Sequence, residues 1–140
     1  MRTKPITSFN HGLVKVVVES FGYLHGPPPD ADITLDIRKV ARDPHTSPAM
    51  RELTGLEPLV RRNVLSNPEA LSVLAALQQV TLAYLPAKDR IGELVRVAVG
   101  CAGGRHRSVV LANELVNRLG LAGVGADVSH RDILEPVVNR

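Results

Sequence analysis

The chain predicts an α/β domain, and two observations carry that expectation. Short runs rich in β-branched residues, LVKVVVE (13–19), DITLDIR (32–38) and LVRVAV (94–99), have strand character. Longer stretches of helical spacing separate or follow them. Strands separated by helices imply a single-domain sandwich with a mixed or largely parallel sheet and flanking helices.

The first strand, Leu13 to Glu19, reads as short and buried. SFGYLHGPPPDAD then carries two glycines and three consecutive prolines, which predicts a loop. From Ile33 to Ile37 the pattern alternates: Ile33, Leu35 and Ile37 point one way, while Asp32, Thr34, Asp36 and Arg38 point the other. ARDPHTSP (41–48) reads as a second loop. Thr54-Gly-Leu-Glu57 and Ser66-Asn-Pro-Glu69 both fit the capping box, so helices are expected to start there. The second helix is expected to bury Leu71, Leu74, Ala75, Leu82 and Leu85 and to stop at Pro86. After the LVRVAV strand, Arg107 to Leu119 reads as a helix with Asn113, Glu114, Asn117 and Arg118 outward and Gly120 as its stop. GADVSHRDI supplies a last short strand.

With 140 residues and neither repeat, low-complexity tract nor linker, the chain reads as one domain with its core between about 14 and 132. An apolar fraction of 44% beside 22% charged residues is that of an ordinary globular protein. No uninterrupted apolar run approaches the ~18 residues of a membrane span, and Lys15 breaks the only apolar run near the start, so no secretory leader is expected. A single cysteine rules out an internal disulfide, and a reducing cytoplasm is the expected compartment. The net charge is +3 with a pI near 9.4, carried largely by arginine, which suits phosphate, carboxylate or nucleic acid. Phe9, Phe21, Tyr23 and Tyr84 are too few for a base-stacking platform.

The chemistry concentrates in GCAGGRHRS (100–108). A strand, a glycine-rich turn and a helix start converge backbone N–H groups on one point, where the helix dipole adds about half a positive charge. Gly103 and Gly104 permit close approach, Arg105, His106 and Arg107 add donors, and Ser108 is expected to offer a hydroxyl. Three basic residues crowded at a positive helix end repel one another, a cost that favours an anion site over a turn needed only for packing. The stretch is also a Cys-x5-Arg-Ser frame, in which Cys101 would be a thiolate nucleophile, Arg107 a phosphate clamp, and Asp32 or Asp36 a general acid. Spacing excludes a Walker A loop. HRD (130–132) lacks the other protein-kinase signatures, and the five scattered histidines have no zinc-like spacing, so neither metal nor cofactor is expected.

Six stretches in fixed order, SFGYLHG (20–26), DADITLDIR (30–38), DPH (43–45), LTGLEPLVR (53–61), VAVGCAGGRHRSVVLANEL (97–115) and VSHRD (128–132), resemble the C-terminal domain of the bacterial RNase adapter family, RapZ. The resemblance implies a fold similar to a phosphofructokinase subdomain and a non-catalytic sensor of glucosamine-6-phosphate, a regulatory adapter of amino-sugar metabolism. It also implies a preceding P-loop kinase-like half, RNA and protein partners, and self-association. The ligand residues it implies are Asp36, Arg38, His45, Cys101, Gly103, Gly104, His106, Arg107 and Ser108, and Ala102 and Arg105 of the same loop join them as candidates. Backbone amides, Arg107 and Ser108 would hold the phosphate, Asp36 the sugar's amino group, and His45 a hydroxyl or the phosphate edge.

This sequence departs from the family's pattern in three places. No P-loop half is present in it. Ala102 stands where threonine is usual, removing a hydrogen bond to a charged group worth ~1.5–3 kcal/mol. The basic RNA-binding tail is replaced by ILEPVVNR. A sugar-phosphate sensor is therefore the leading expectation, followed by a cysteine-dependent phosphatase and an RNA-binding adapter.

Overall fold

A computed structural model describes residues 14–41 and 43–138. Leu13, the N-terminal residues examined for a leader, and the last two residues of the ILEPVVNR tail lie outside them. Four strands, β1 (Val14–Gly22), β2 (Ile33–Asp36), β3 (Val95–Cys101) and β4 (Gly125–His130), form one sheet in the order β2-β3-β1-β4. All three pairings are parallel, so the sheet is fully parallel rather than mixed. Three helices, α1 (Pro58–Leu65), α2 (Pro68–Arg90) and α3 (Arg107–Leu121), complete the α/β architecture.

Alternate residues of every strand meet these helices in one core. Val16 and Val18 of β1, Val95, Val97 and Val99 of β3, and Ala126 of β4 join Val60, Val64, Leu74, Leu77, Leu111, Leu115 and Leu119. All three helices therefore cover the same face of the sheet. The central strands β1 and β3 are buried along most of their length, as interior parallel strands are. Each fully buried leucine contributes roughly 1.5–3 kcal/mol relative to exposure.

Several boundaries differ from those expected. SFG, read as loop, belongs to β1, where Ser20, Phe21 and Gly22 pair with Val99, Gly100 and Cys101. Pairing to the long β3 extends β1 beyond its β-branched run. Thr54 does not cap α1. Its hydroxyl donates to Glu57 at 2.9 Å and accepts from Leu56 N–H, forming a turn ahead of the helix, whose N-cap Glu57 makes no side-chain cap. Asn67, not Ser66, caps α2 by accepting from the N–H groups of Glu69 and Ala70.

Pro86 does not stop α2, which continues to Arg90 because Leu85 packs on the core and Lys88 pairs with Asp32 at 3.0 Å. Proline forfeits one helical hydrogen bond, and the core packing of Leu85 offsets it. Ala75 and Leu71 face outward, since the inner face is set by Ala70, Leu74, Leu77 and Thr81. By length and composition α2 would suffice to cross a membrane, yet that inner face is part of the domain core. Gly120 lies inside α3, and the left-handed glycine beyond the helix is Gly123, with φ of 82°.

Candidate functional site

The strands end together around the 101–108 loop. Gly22 ends β1 opposite Cys101, and Asp36 ends β2 opposite Gly100. Open parallel sheets form ligand sites at this end of their strands. The loop is held by a backbone crossing. A Cβ on Gly22 would lie 2.4 Å from Gly103 C and 2.6 Å from Gly104 N, and Gly104 has φ of +75°. Both glycines are thus needed for packing, whatever the loop also binds.

The start of α3 is buried, with Arg107, Ser108 and Val109 all inside. No side chain caps it, and its first turn contains no acidic residue. A buried helix N-terminus with that composition is suited to an anion.

The three basic residues do not form an open cluster; each is bonded to main-chain carbonyls of segments distant in sequence. Arg105 donates to Glu52 O at 2.6 Å and Glu135 O at 3.1 Å, tying the C-terminal segment to the 52 region. His106 donates through Nε2 to Met50 O at 3.0 Å, and burial holds its pKa below the ordinary value. Arg107, 2% exposed, donates through Nη1 to the carbonyls of Ile37, Arg38 and Val40 and pairs through Nη2 with Asp43 at 3.2 Å. Its Nε is buried without a partner. Carbonyl acceptors thus offset the repulsion anticipated for the basic triplet.

Arg107 organises the segment after β2. There Ala41 adopts a left-handed φ of 61° and donates its N–H to Glu69. Asp43 accepts from His45 N–H at 3.0 Å, shaping the 3-10 turn Pro44–Thr46 and burying His45. Cys101 and Ser108 are also inside. Cys101 Sγ lies 3.1 Å from Ser108 Oγ and accepts from Gly104 N–H at 3.3 Å. The hydroxyl expected to be open at the loop is therefore engaged beneath it.

Asp36 and Arg38 stand apart from this buried group. Asp36 shares the register of Gly100, so it leaves the sheet on the face opposite to Cys101. Arg38 binds it through Nη2 at 2.6 Å and Nε at 3.0 Å, and this pairing holds the Asp36 carboxyl below its ordinary pKa. The Arg38 guanidinium also stacks 3.8 Å from the Tyr23 ring centroid, and Tyr23 packs edge-on to Phe21. Ala102 joins the two parts, because its carbonyl accepts from Leu24 N–H at 3.0 Å.

Sequence reasoning missed a supporting network in HRD, set aside as a kinase lookalike. His130 lies 2.7 Å from Ser20 Oγ and 3.0 Å from Asn113 Oδ1, and its burial lowers its pKa. Arg131 reaches the carbonyls of Pro27, Gly26 and Gly22, while Asp132 accepts from Gly22 N–H at 2.7 Å. Arg131 and Asp132, just past β4, therefore fix the Gly22–Gly104 crossing, and His130 ties Ser20 of β1 to α3. Tyr23 and Asp43 were missed as well. The Asx-turn chemistry of Asp-Pro-His was the available signal for Asp43.

Fold and site together define a class: a parallel α/β domain with an anion-suited glycine loop at the carboxyl ends of its strands. More specifically, the chain belongs to the RapZ C-terminal domain family, which matches residues 14–134. A relative named nucleotide-binding protein from Geobacter metallireducens is 41% identical over 117 residues, covering 83% of this chain and 41% of that protein. Another of the same name, from Rubrobacter xylanophilus, is 38% identical over 138 residues, covering 95% and 45%. The chain thus spans less than half the length of these curated relatives.

Proposed function

We propose that this domain senses a phosphorylated amino sugar of the glucosamine-6-phosphate type and serves regulation rather than turnover. The observation that carries the reading is the buried start of α3, which has no capping side chain and no acidic residue in its first turn. A dianionic phosphate there would bond N–H groups of the loop and first turn, with the buried Arg107 charge behind them. An ammonium on the sugar would compete with Arg38 for Asp36, which is partly exposed and so open to exchange. His45 and Ala102 flank the same end of the sheet.

Calorimetric titration with glucosamine-6-phosphate, glucose-6-phosphate and glucosamine tests the reading. The amino sugar phosphate should bind tightest and free glucosamine should not bind. Equal binding of all three, or none, would overturn it. Asp36→Ala should remove the preference for the amino sugar while leaving phosphate recognition in place.

One observation favours a phosphatase as a second reading: Cys101 Sγ accepts from Gly104 N–H at 3.3 Å and lies 3.1 Å from Ser108 Oγ at the base of the loop. Against it stand the 3% exposure of Cys101 and the bonding of Arg107 to carbonyls. Hydrolysis of an aryl phosphate that disappears in Cys101→Ser would establish this alternative.

A further inference from the structure

We propose that Asp43 is a built-in competitor for the anion at this site, a carboxylate that determines which phosphorylated ligands the loop accepts. The inference rests on the phosphate reading for its ligand and on the structure for its residue. Asp43 Oδ2 lies 3.2 Å from Arg107 Nη2. Among the ion pairs of the described residues, this is the one that Arg107 makes. The remaining bonds of the guanidinium go to neutral carbonyls through Nη1, and its Nε is unpartnered inside the protein.

The placement of this carboxylate is unusual for a site built to take phosphate. The first turn of α3 has no acidic residue of its own. Asp43 brings a carboxylate to the Arg107 guanidinium from a different segment, and its field also reaches His106. Its other oxygen accepts the His45 N–H at 3.0 Å, so one carboxylate links Arg107 to the turn that carries His45.

A phosphate entering the loop must share the Arg107 field with Asp43. Two anions around one buried guanidinium repel each other, and little solvent screens them. Inorganic phosphate and the phosphates of uncharged sugars meet that repulsion in full. A ligand that also carries an ammonium enters with one negative charge fewer and meets less of it. Asp43 therefore weakens phosphate binding in general and widens the margin in favour of amino sugar phosphates.

The test is titration of the intact chain with inorganic phosphate, glucose-6-phosphate and glucosamine-6-phosphate, in wild type and Asp43→Asn. Asparagine keeps an oxygen for His45 N–H and removes the charge. Glu93→Gln makes the same change of net charge at the opposite end of the sheet and serves as the control. Asp43→Asn should bind inorganic phosphate about tenfold more tightly. It should also narrow the gap between the two sugar phosphates, and Glu93→Gln should change neither quantity.

Should wild type bind and Asp43→Asn bind no tighter, or more weakly, the competitor role is overturned and the phosphate site stands. Binding to neither protein overturns the phosphate reading and this inference together. A thermal melt accompanies each variant. If Asp43→Asn fails to fold, Asp43→Ser, which also offers His45 N–H an oxygen, takes its place with the same expected outcome.

Discussion

The two ends of the sheet both carry charge, but they use it differently. At the amino ends of the strands, Lys15 pairs with Asp89, and Lys88 pairs with Asp32 and Glu93, side chain to side chain near the surface. At the carboxyl ends, Arg107 and Asp132 are buried and bonded to main-chain groups of distant segments. Exposed pairs are screened and can be lost at little cost. A buried charge bonded to carbonyls or an N–H cannot be removed without leaving those groups unpaired, so it dictates where loops lie. The candidate site is at the end where charge positions backbone.

The largest expected effect comes from Arg107→Met, which takes the guanidinium away from three carbonyls and from the Asp43 carboxylate. A loss of about 3–5 kcal/mol is expected in urea denaturation. Trypsin cleavage at Arg38 and Lys39 should rise with it. A loss below about 1 kcal/mol would place the two ends of the sheet on the same footing.

Gly22→Ala comes next. Its Cβ would meet the Gly103 backbone at 2.4 Å, where neither chain can yield without moving the loop. About 2–3 kcal/mol of lost stability is expected, read from the same denaturation curve.

A smaller effect appears as pH dependence. Burial holds His106 and His130 below the ordinary value of 6.5. The unfolded chain therefore takes up protons in a range where the folded chain stays neutral. Their contribution is complete above about pH 6.5 and declines as pH falls below it. Urea midpoints should decrease across that window, and His130→Gln should flatten the decrease. An unaltered slope would remove His130 from the account.

Lys88→Met should have the smallest effect, a small downward shift of the urea midpoint that shrinks further in high salt. A loss comparable to that of Arg107→Met would erase the contrast between the two ends.

Much of this organisation was legible locally. The β-branched runs at 14–19 and 95–99, the alternation of 33–37 and the helix after Arg107 all appear near their expected positions. Pro86, Gly120 and Ser66 misled because each is a local signal that a neighbour outweighs: Leu85 packs on the core beside Pro86, Gly123 takes the left-handed turn, and Asn67 caps in place of Ser66. At the site, the glycine loop was evident from its residues. The bonds of Arg105, His106 and Arg107 were not, because their acceptors lie 28 to 70 residues away in sequence.

The sequence alone determined the α/β class, the strand–loop–helix unit at 100–108 and the family to which the chain belongs. Only the tertiary structure decided the parallel order β2-β3-β1-β4, the inward turn of Cys101 and Ser108, and the pairing of Arg107 with Asp43. The physical reason is one of range. Periodicity and turn chemistry act over a few residues, whereas a buried guanidinium takes whichever distant carbonyls and carboxylate the packed core brings to it.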